Sequence, residues 1–266
     1  MKKKIHQIIH NGQNRGFFSE FFTILSGIKY VYDNDSNFYI NWTNNLYSDV
    51  NENLFDIFFN QVRHSNEDNF DFTHINFTPY GQHFTSKVLE NYRNEKKFHE
   101  VLTEFSNLLY YYNIIDSNFL QKIEKNEFLN NKVLGVHIRK TDHSMHGKIL
   151  DNTYYLSKIN YEFKKNSYDK IFVITDDETS LQFLKKELGD LLFHTDSYRM
   201  NSGSVGLHLS NIFPKKKLGE DVVRDAYLLS LSTKKILTQS NVSYFAAITN
   251  LKDTSYEFID KHITYL

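Results

Sequence analysis

The chain has 266 residues, 40% of them hydrophobic and 24% charged, with a formal net charge of −1. That length supports one large or two small globular domains, and the near-neutral charge excludes nucleic acid as an implied partner. There is no cysteine, which excludes disulfides, thiolate metal sites and cysteine nucleophiles and leans toward a reducing, cytoplasmic compartment.

The opening Met1-Lys2-Lys3-Lys4 reads as a solvated lead-in. The stretch after it is too short and polar for a secretory core, and no run is long enough to span a bilayer. Three lysines allow at most a marginal peripheral membrane contact. Residues 5–10 predict a strand, Gly12-Gln13-Asn14-Arg15-Gly16 a loop, residues 17–32 a strongly apolar helix, and residues 38–40 a second strand. Helices over residues 94–112 and 119–129 are expected to join the two halves. The second half is more regular. Short apolar runs at 133–138, 171–174, 191–193 and 235–238 fit buried parallel strands, with helices between them at 154–165, 179–188 and 220–232 and a last one at 243–250. Strand alternating with helix means βαβ units. The expectation is an α/β chain of two Rossmann-like lobes with a cleft between them, a reduced first lobe over residues 1–128 and a second over residues 129–266. Two prolines and ten glycines leave no flexible linker to mark the boundary.

Parallel sheets bind ligands at the carboxyl ends of their strands, and three polar clusters directly follow apolar runs here. The first is His137-Ile138-Arg139-Lys140-Thr141-Asp142-His143. Alternation puts His137 and Arg139 on one side of the strand, and a guanidinium can hold a diphosphate bidentately. Asp142 is suited to orient Arg139 or to accept from a sugar hydroxyl; a plain Arg–Asp ion pair closing the strand is the simpler reading. The second is Thr175-Asp176-Asp177-Glu178, whose carboxylates suit a ribose, a base or a metal; the simpler reading is Thr175 or Asp176 as the N-cap of the next helix with acids in its first turn. The third is Gly219-Glu220-Asp221-Val222-Val223-Arg224-Asp225 with the later Gln239-Ser240-Asn241-Val242-Ser243, where Ser240 either caps a helix or helps it bind phosphate. Gly12 and Gly16 flank a loop but lack the dinucleotide fingerprint. His64, His74, His83 and His99 have no metal-site spacing.

Taken in order, His137-Ile138-Arg139-Lys140-Thr141-Asp142, Val173-Ile174-Thr175-Asp176-Asp177, and Asp225-Ala226-Tyr227-Leu228-Leu229-Ser230 with Ser240 resemble the three motifs of the α1,6-fucosyltransferases, including the nodulation fucosyltransferases. Residues 12–27 are similar to that family's N-terminal loop and helix. The resemblance implies a GT-B-like fold, GDP-fucose as donor, a glycan hydroxyl as acceptor, inversion at the anomeric carbon, and neither metal nor cofactor. It implies that Arg139 holds the β-phosphate, that His137 and Asp142 support the site, that Asp176 and Asp177 are the family's paired acids, and that Asp225 and Ser240 contact the nucleotide. Two departures stand out: Lys140 replaces a frequent second arginine, and Ser144-Met145-His146-Gly147 lacks the catalytic carboxylate expected there. Asp151, His143 and His146, in that order, are the candidate bases.

Three other readings compete. Tyr30-Val31-Tyr32-Asp33-Asn34-Asp35 ends in Asp-x-Asp, the pattern of metal-dependent transferases, although it also reads as a turn. The missing carboxylate favours a non-catalytic nucleotide- or sugar-binding protein. A phosphohydrolase built on Asp176 fits less well, because its acids are adjacent rather than spaced.

Overall fold

The computed structural model describes residues 5–11, 15–33, 37–43, 46–48, 52–61, 72–76, 83–140, 150–201, 206–210 and 212–260. The chain divides into two compact units, Met1–Ile123 and Glu124–Leu266. The boundary expected after residue 128 lies five residues further along.

Unit 1 runs β1 (Ile5–Asn11), α1 (Phe17–Asp33), β2 (Asn37–Thr43), α2 (Leu54–Phe58), β3 (Phe72–Asn76), α3 (His83–Asn91), α4 (Glu95–Tyr111) and α5 (Asn118–Gln121). Its three strands are parallel in the order β2-β1-β3. Helix α1 is apolar around most of its circumference, which suits a helix enclosed on several sides. Phe17, Phe18, Phe21, Phe22, Ile24, Leu25 and Ile28 are all buried, each contributing roughly 1.5–3 kcal/mol on leaving water. The Phe22 ring stacks on Phe84 at 3.9 Å, and Phe17 meets Trp42 at 4.8 Å. One carboxylate lies inside this core: Glu20 accepts from the Trp42 indole at 2.9 Å, with His10 Nε2 3.5 Å away.

Among the described residues β2 is an edge strand, so its outward peptide groups need partners. Two side chains provide them. The Gln61 amide accepts from Ile40 N–H and donates to Ile40 C=O, while Asn53 accepts from Trp42 N–H.

Unit 2 contains α6 (Asn126–Asn130), β4 (Val133–Ile138), α7 (Asn152–Asn166), β5 (Lys170–Thr175), α8 (Glu178–Leu188), β6 (Leu192–Phe193), α9 (Lys215–Ser230), β7 (Lys234–Leu237), α10 (Asn241–Thr249) and β8 (Ser255–Phe258). The five strands are all parallel, in the order β6-β5-β4-β7-β8. The chain winds outward from β4 to β6 and then restarts on the other side at β7. That reversal is a doubly wound sheet with its switch point between β4 and β7. Every residue of β4 is buried. Gly135 lets α9 approach it closely: a Cβ there would lie 2.7 Å from Leu229 Cδ1 and closer still to the Ser232 hydroxyl.

The expected elements of the second half are present, with three differences. The helix expected over residues 119–129 is two short ones, α5 and α6. Helix α9 begins at Lys215 rather than 220, because its first turn is Lys215-Lys216-Lys217 and shows no apolar periodicity. Strand β8 has no apolar run, since it lies at the sheet edge with Ser255 exposed.

Candidate functional site

The switch point is where the first and third motifs meet. His137, near the end of β4, points its Nδ1 at the start of α10, 2.7 Å from Ser243 Oγ and 3.3 Å from Ser240 Oγ. Ser240 is the N-cap of α10, accepting from Ser243 N–H at 3.1 Å. The capping reading of Ser240 is therefore realised. The same geometry gathers two hydroxyls and an imidazole around a helix N-terminus, where free N–H groups favour anions. Asp260 braces the strand end by accepting from Gln239 N–H at 2.8 Å. Burial pushes the phenol of Tyr155 well up, close to the Thr238 side chain and the Arg139 main chain.

Arg139 follows on the same side of the strand as His137, and its partner is Asp176. The two make an ion pair at 2.5 Å, with Arg139 23% and Asp176 7% exposed. The other Asp176 oxygen accepts from Lys140 N–H at 3.1 Å. Both oxygens thus hold the end of β4, which β4–β5 pairing brings alongside: Ile138 is in register with Thr175. Asp142, expected to orient Arg139, lies outside the described residues, as do His143 and His146. Lys140 turns away, donating from Nζ to Leu150 C=O at 2.6 Å. Burial lowers its pKa, against the opposing charges of Asp177, Asp151 and Asp176.

The N-cap of α8 is Asp177, not Thr175 or Asp176 as expected, because the helix begins only at Glu178. Asp177 has no exposed surface and accepts from Ser180 N–H at 2.7 Å and from the Ser180 hydroxyl. A carboxylate so enclosed shapes the loop between β5 and α8. Asp225 is similarly occupied. It sits in the middle of α9, 8% exposed, and accepts from Thr195 Oγ1 and Ser197 Oγ at 2.7 Å each. Burial pushes its pKa up against those two hydrogen bonds and the nearby Arg224. Its part in this conformation is to tether the segment after β6 to α9.

That segment brings in residues the sequence did not single out. Met200 joins the end of β5, donating to Asp176 C=O and accepting from Glu178 N–H at 2.9 Å each. Arg199 donates to the carbonyls of Ser197 and Thr195, and Arg224 pairs with Asp196 and Asp221. The i, i+3 spacing of Asp221 and Arg224 was visible in the sequence. Arg199, in an irregular loop, gave no such signal.

Asp151 is the N-cap of α7, accepting from Tyr154 N–H and Thr153 Oγ1 at 2.7 Å each. Those bonds, the Thr153 one first, hold its pKa below the ordinary carboxylate value. A base needs the opposite shift. Among the described residues no three His, Asp or Glu side chains converge as a metal site, and no helix is long and apolar enough to cross a membrane.

No protein-family profile matches this chain, and no curated protein does. Solved structures do. The NodZ α-1,6-fucosyltransferase co-crystallised with GDP superposes over 92% of this chain and 92% of its own, at a TM-score of 0.53 and 14% identity. The fucosyltransferase NodZ from Bradyrhizobium does so over 92% of each chain at 0.52 and 16%. POFUT1 in its apo form covers 97% of this chain and 98% of its own, at 0.51 and 10%. The chain therefore has the α/β, GT-B fold of these fucosyltransferases, with a Rossmann-like parallel sheet in unit 2.

Proposed function

We propose that the protein is an inverting, metal-independent glycosyltransferase that moves fucose from GDP-fucose to a hydroxyl of a glycan. The observation that carries this reading is the arrangement at the β4/β7 switch point. There the imidazole of His137 and the hydroxyls of Ser240 and Ser243 cluster at the N-terminus of α10, and Arg139 directly follows the strand that carries His137. The donor identity draws support from NodZ, which shares the fold and has been solved after soaking with GDP-fucose.

In such a transfer negative charge grows on the leaving diphosphate as the glycosidic bond breaks. Arg139, held in place by Asp176, supplies fixed positive charge there, and the N–H groups of α10 add partial positive charge. Neither has to reorganise during the step. The acceptor hydroxyl attacks from the opposite face of the sugar and loses its proton to a base. With Asp151 engaged as a cap, His143 and His146 become the first candidates, since an imidazole titrates near neutrality. Asp151 serves only if it releases Tyr154 N–H.

Calorimetric titration with GDP, UDP and CMP tests the donor site, with GDP expected to bind and Arg139→Ala to weaken it at least tenfold. Unchanged affinity in that variant rejects the role given to Arg139. Fucose transfer that persists in EDTA supports metal independence, whereas loss restored by a divalent cation rejects it. The capped state of Asp151 favours one alternative, a nucleotide-sugar-binding protein without turnover. Tight GDP-fucose binding with neither transfer nor slow hydrolysis would identify it.

A further inference from the structure

Unit 1 holds a cavity of about 660 Å³ that the donor chemistry does not use. Its volume falls within the range of small-molecule sites. It opens beside the edge strand β2, between the end of α2 with the residues after it and the turn that joins α4 to α5. Part of its polar lining is already committed. The Gln61 amide is paired with Ile40, and Asn60 donates to Asn113 C=O at 2.8 Å. The rest is not. The side-chain amides of Asn113 and Asn118 are exposed and make no hydrogen bond among the described residues. Asp116 is exposed and uses one oxygen, accepting from Gln121 at 3.0 Å, while the other makes no hydrogen bond among the described residues.

One wall is aromatic. Phe59 and Tyr112 line the cavity; the rings of Tyr111 and Tyr32 are not in the lining but adjoin Tyr112, 4.8 Å edge-on and 6.3 Å from its ring. Tyr111 is 69% exposed and Tyr32 45%. Tyr32 and Tyr111 also pack edge to face at 5.2 Å, so the rings hold one another in place. Rings this exposed keep an apolar face in water, which is unfavourable unless a ligand covers it.

We propose that this cavity and its tyrosine rim form a binding site for a neutral carbohydrate. A pyranose presents hydroxyls, each a donor and an acceptor, around a face of C–H groups. Unpaired amides and a carboxylate oxygen match the hydroxyls, and a fixed aromatic rim matches the C–H face. The charge pattern selects among ligands. Among the described residues the lining contains Asp56 and Asp116 and no lysine or arginine, which disfavours phosphorylated, sulfated or otherwise anionic ligands. The inference rests on unit 1 alone and holds whether or not unit 2 binds a nucleotide.

The test is titration of the whole protein, by calorimetry or saturation-transfer NMR, with neutral tetrasaccharides of glucose, galactose, mannose and N-acetylglucosamine. A sulfated tetrasaccharide and spermidine serve as charged controls. At least one neutral sugar is expected to bind, and Tyr111→Ala and Asn118→Ala each to weaken it about tenfold, the effect of one lost hydrogen bond or ring contact. Both positions are exposed, so melting temperature and GDP affinity are expected to stay unchanged. Failure of every neutral sugar to bind overturns the proposal, as does binding that both variants leave intact, or binding of a charged control alone. Loss of GDP binding with sugar binding preserved would instead fault the donor-site reading.

Discussion

Lys235 is a buried amine in the middle of β7, with no exposed surface. Its Nζ donates to the Thr254 hydroxyl and, at 3.3 Å, to Ser230 C=O at the end of α9. No carboxylate pairs with it among the described residues. Desolvation lowers its pKa from 10.5 to about 7. The unfolded chain therefore binds a proton that the folded chain resists. Stability is lost as pH falls from about 10.5 toward 7 and is level below that. At 1.36 kcal/mol per unit, the penalty at pH 7 is about 4 kcal/mol, and at pH 10 it is about 1 kcal/mol. Lys235→Met removes the amine at similar volume but leaves the Ser230 carbonyl and Thr254 hydroxyl without their donor, a cost of roughly 1–3 kcal/mol at any pH. The variant is thus expected to be more stable than the parent at pH 7 and no more stable, or less, at pH 10. The difference between the two pH values, about 3 kcal/mol, does not depend on the hydrogen-bond cost. Urea unfolding at several pH values measures it, followed by circular dichroism because the one tryptophan, Trp42, lies in unit 1. Parallel stability profiles for variant and parent would refute the reasoning.

Three further perturbations follow from the packing. Gly135→Ala forces Leu229 and Ser232 off β4 and should cost about 1–3 kcal/mol in urea unfolding; a neutral result would mean that α9 does not press on that strand. Glu20→Leu leaves the Trp42 indole without its acceptor and His10 without a neighbouring charge. A loss of roughly 3 kcal/mol is expected, read by Trp42 fluorescence, and an unchanged midpoint would exclude that cluster as a structural element. Asp176→Asn removes the charge that holds Arg139. GDP affinity, measured at low and high salt, should fall several-fold less than in Arg139→Ala, and an equal or larger loss would assign Asp176 a direct contact.

Much of unit 2 was legible before any coordinates. Strands β4 and β5 are buried on both faces and so appear as continuous apolar runs, and the cap at Ser240 depends only on a residue three positions away; the cap of α8 falls on Asp177, one or two residues after the expected Asp176 or Thr175. Strands β3 and β8 escaped because edge positions demand no such run. The Asp-x-Asp reading at Asp33 was left untouched, since Asp35 lies outside the described residues and Asp33 itself pairs with Lys29 one turn back.

What the amino-acid order alone determined was the βαβ rhythm, the polar residues that close each strand, and the likeness to fucosyltransferases. What only the tertiary structure decided was which of those residues meet. Asp176 finds Arg139 across 37 positions because β4 and β5 pair in register, and Ser243 finds His137 across 106 because the chain restarts beside β4 at β7. Capping and periodicity act between neighbours in sequence, so they can be read along the chain. Strand order is settled by how whole helices and strands bury their apolar faces against one another, a property of the folded unit that no single segment contains.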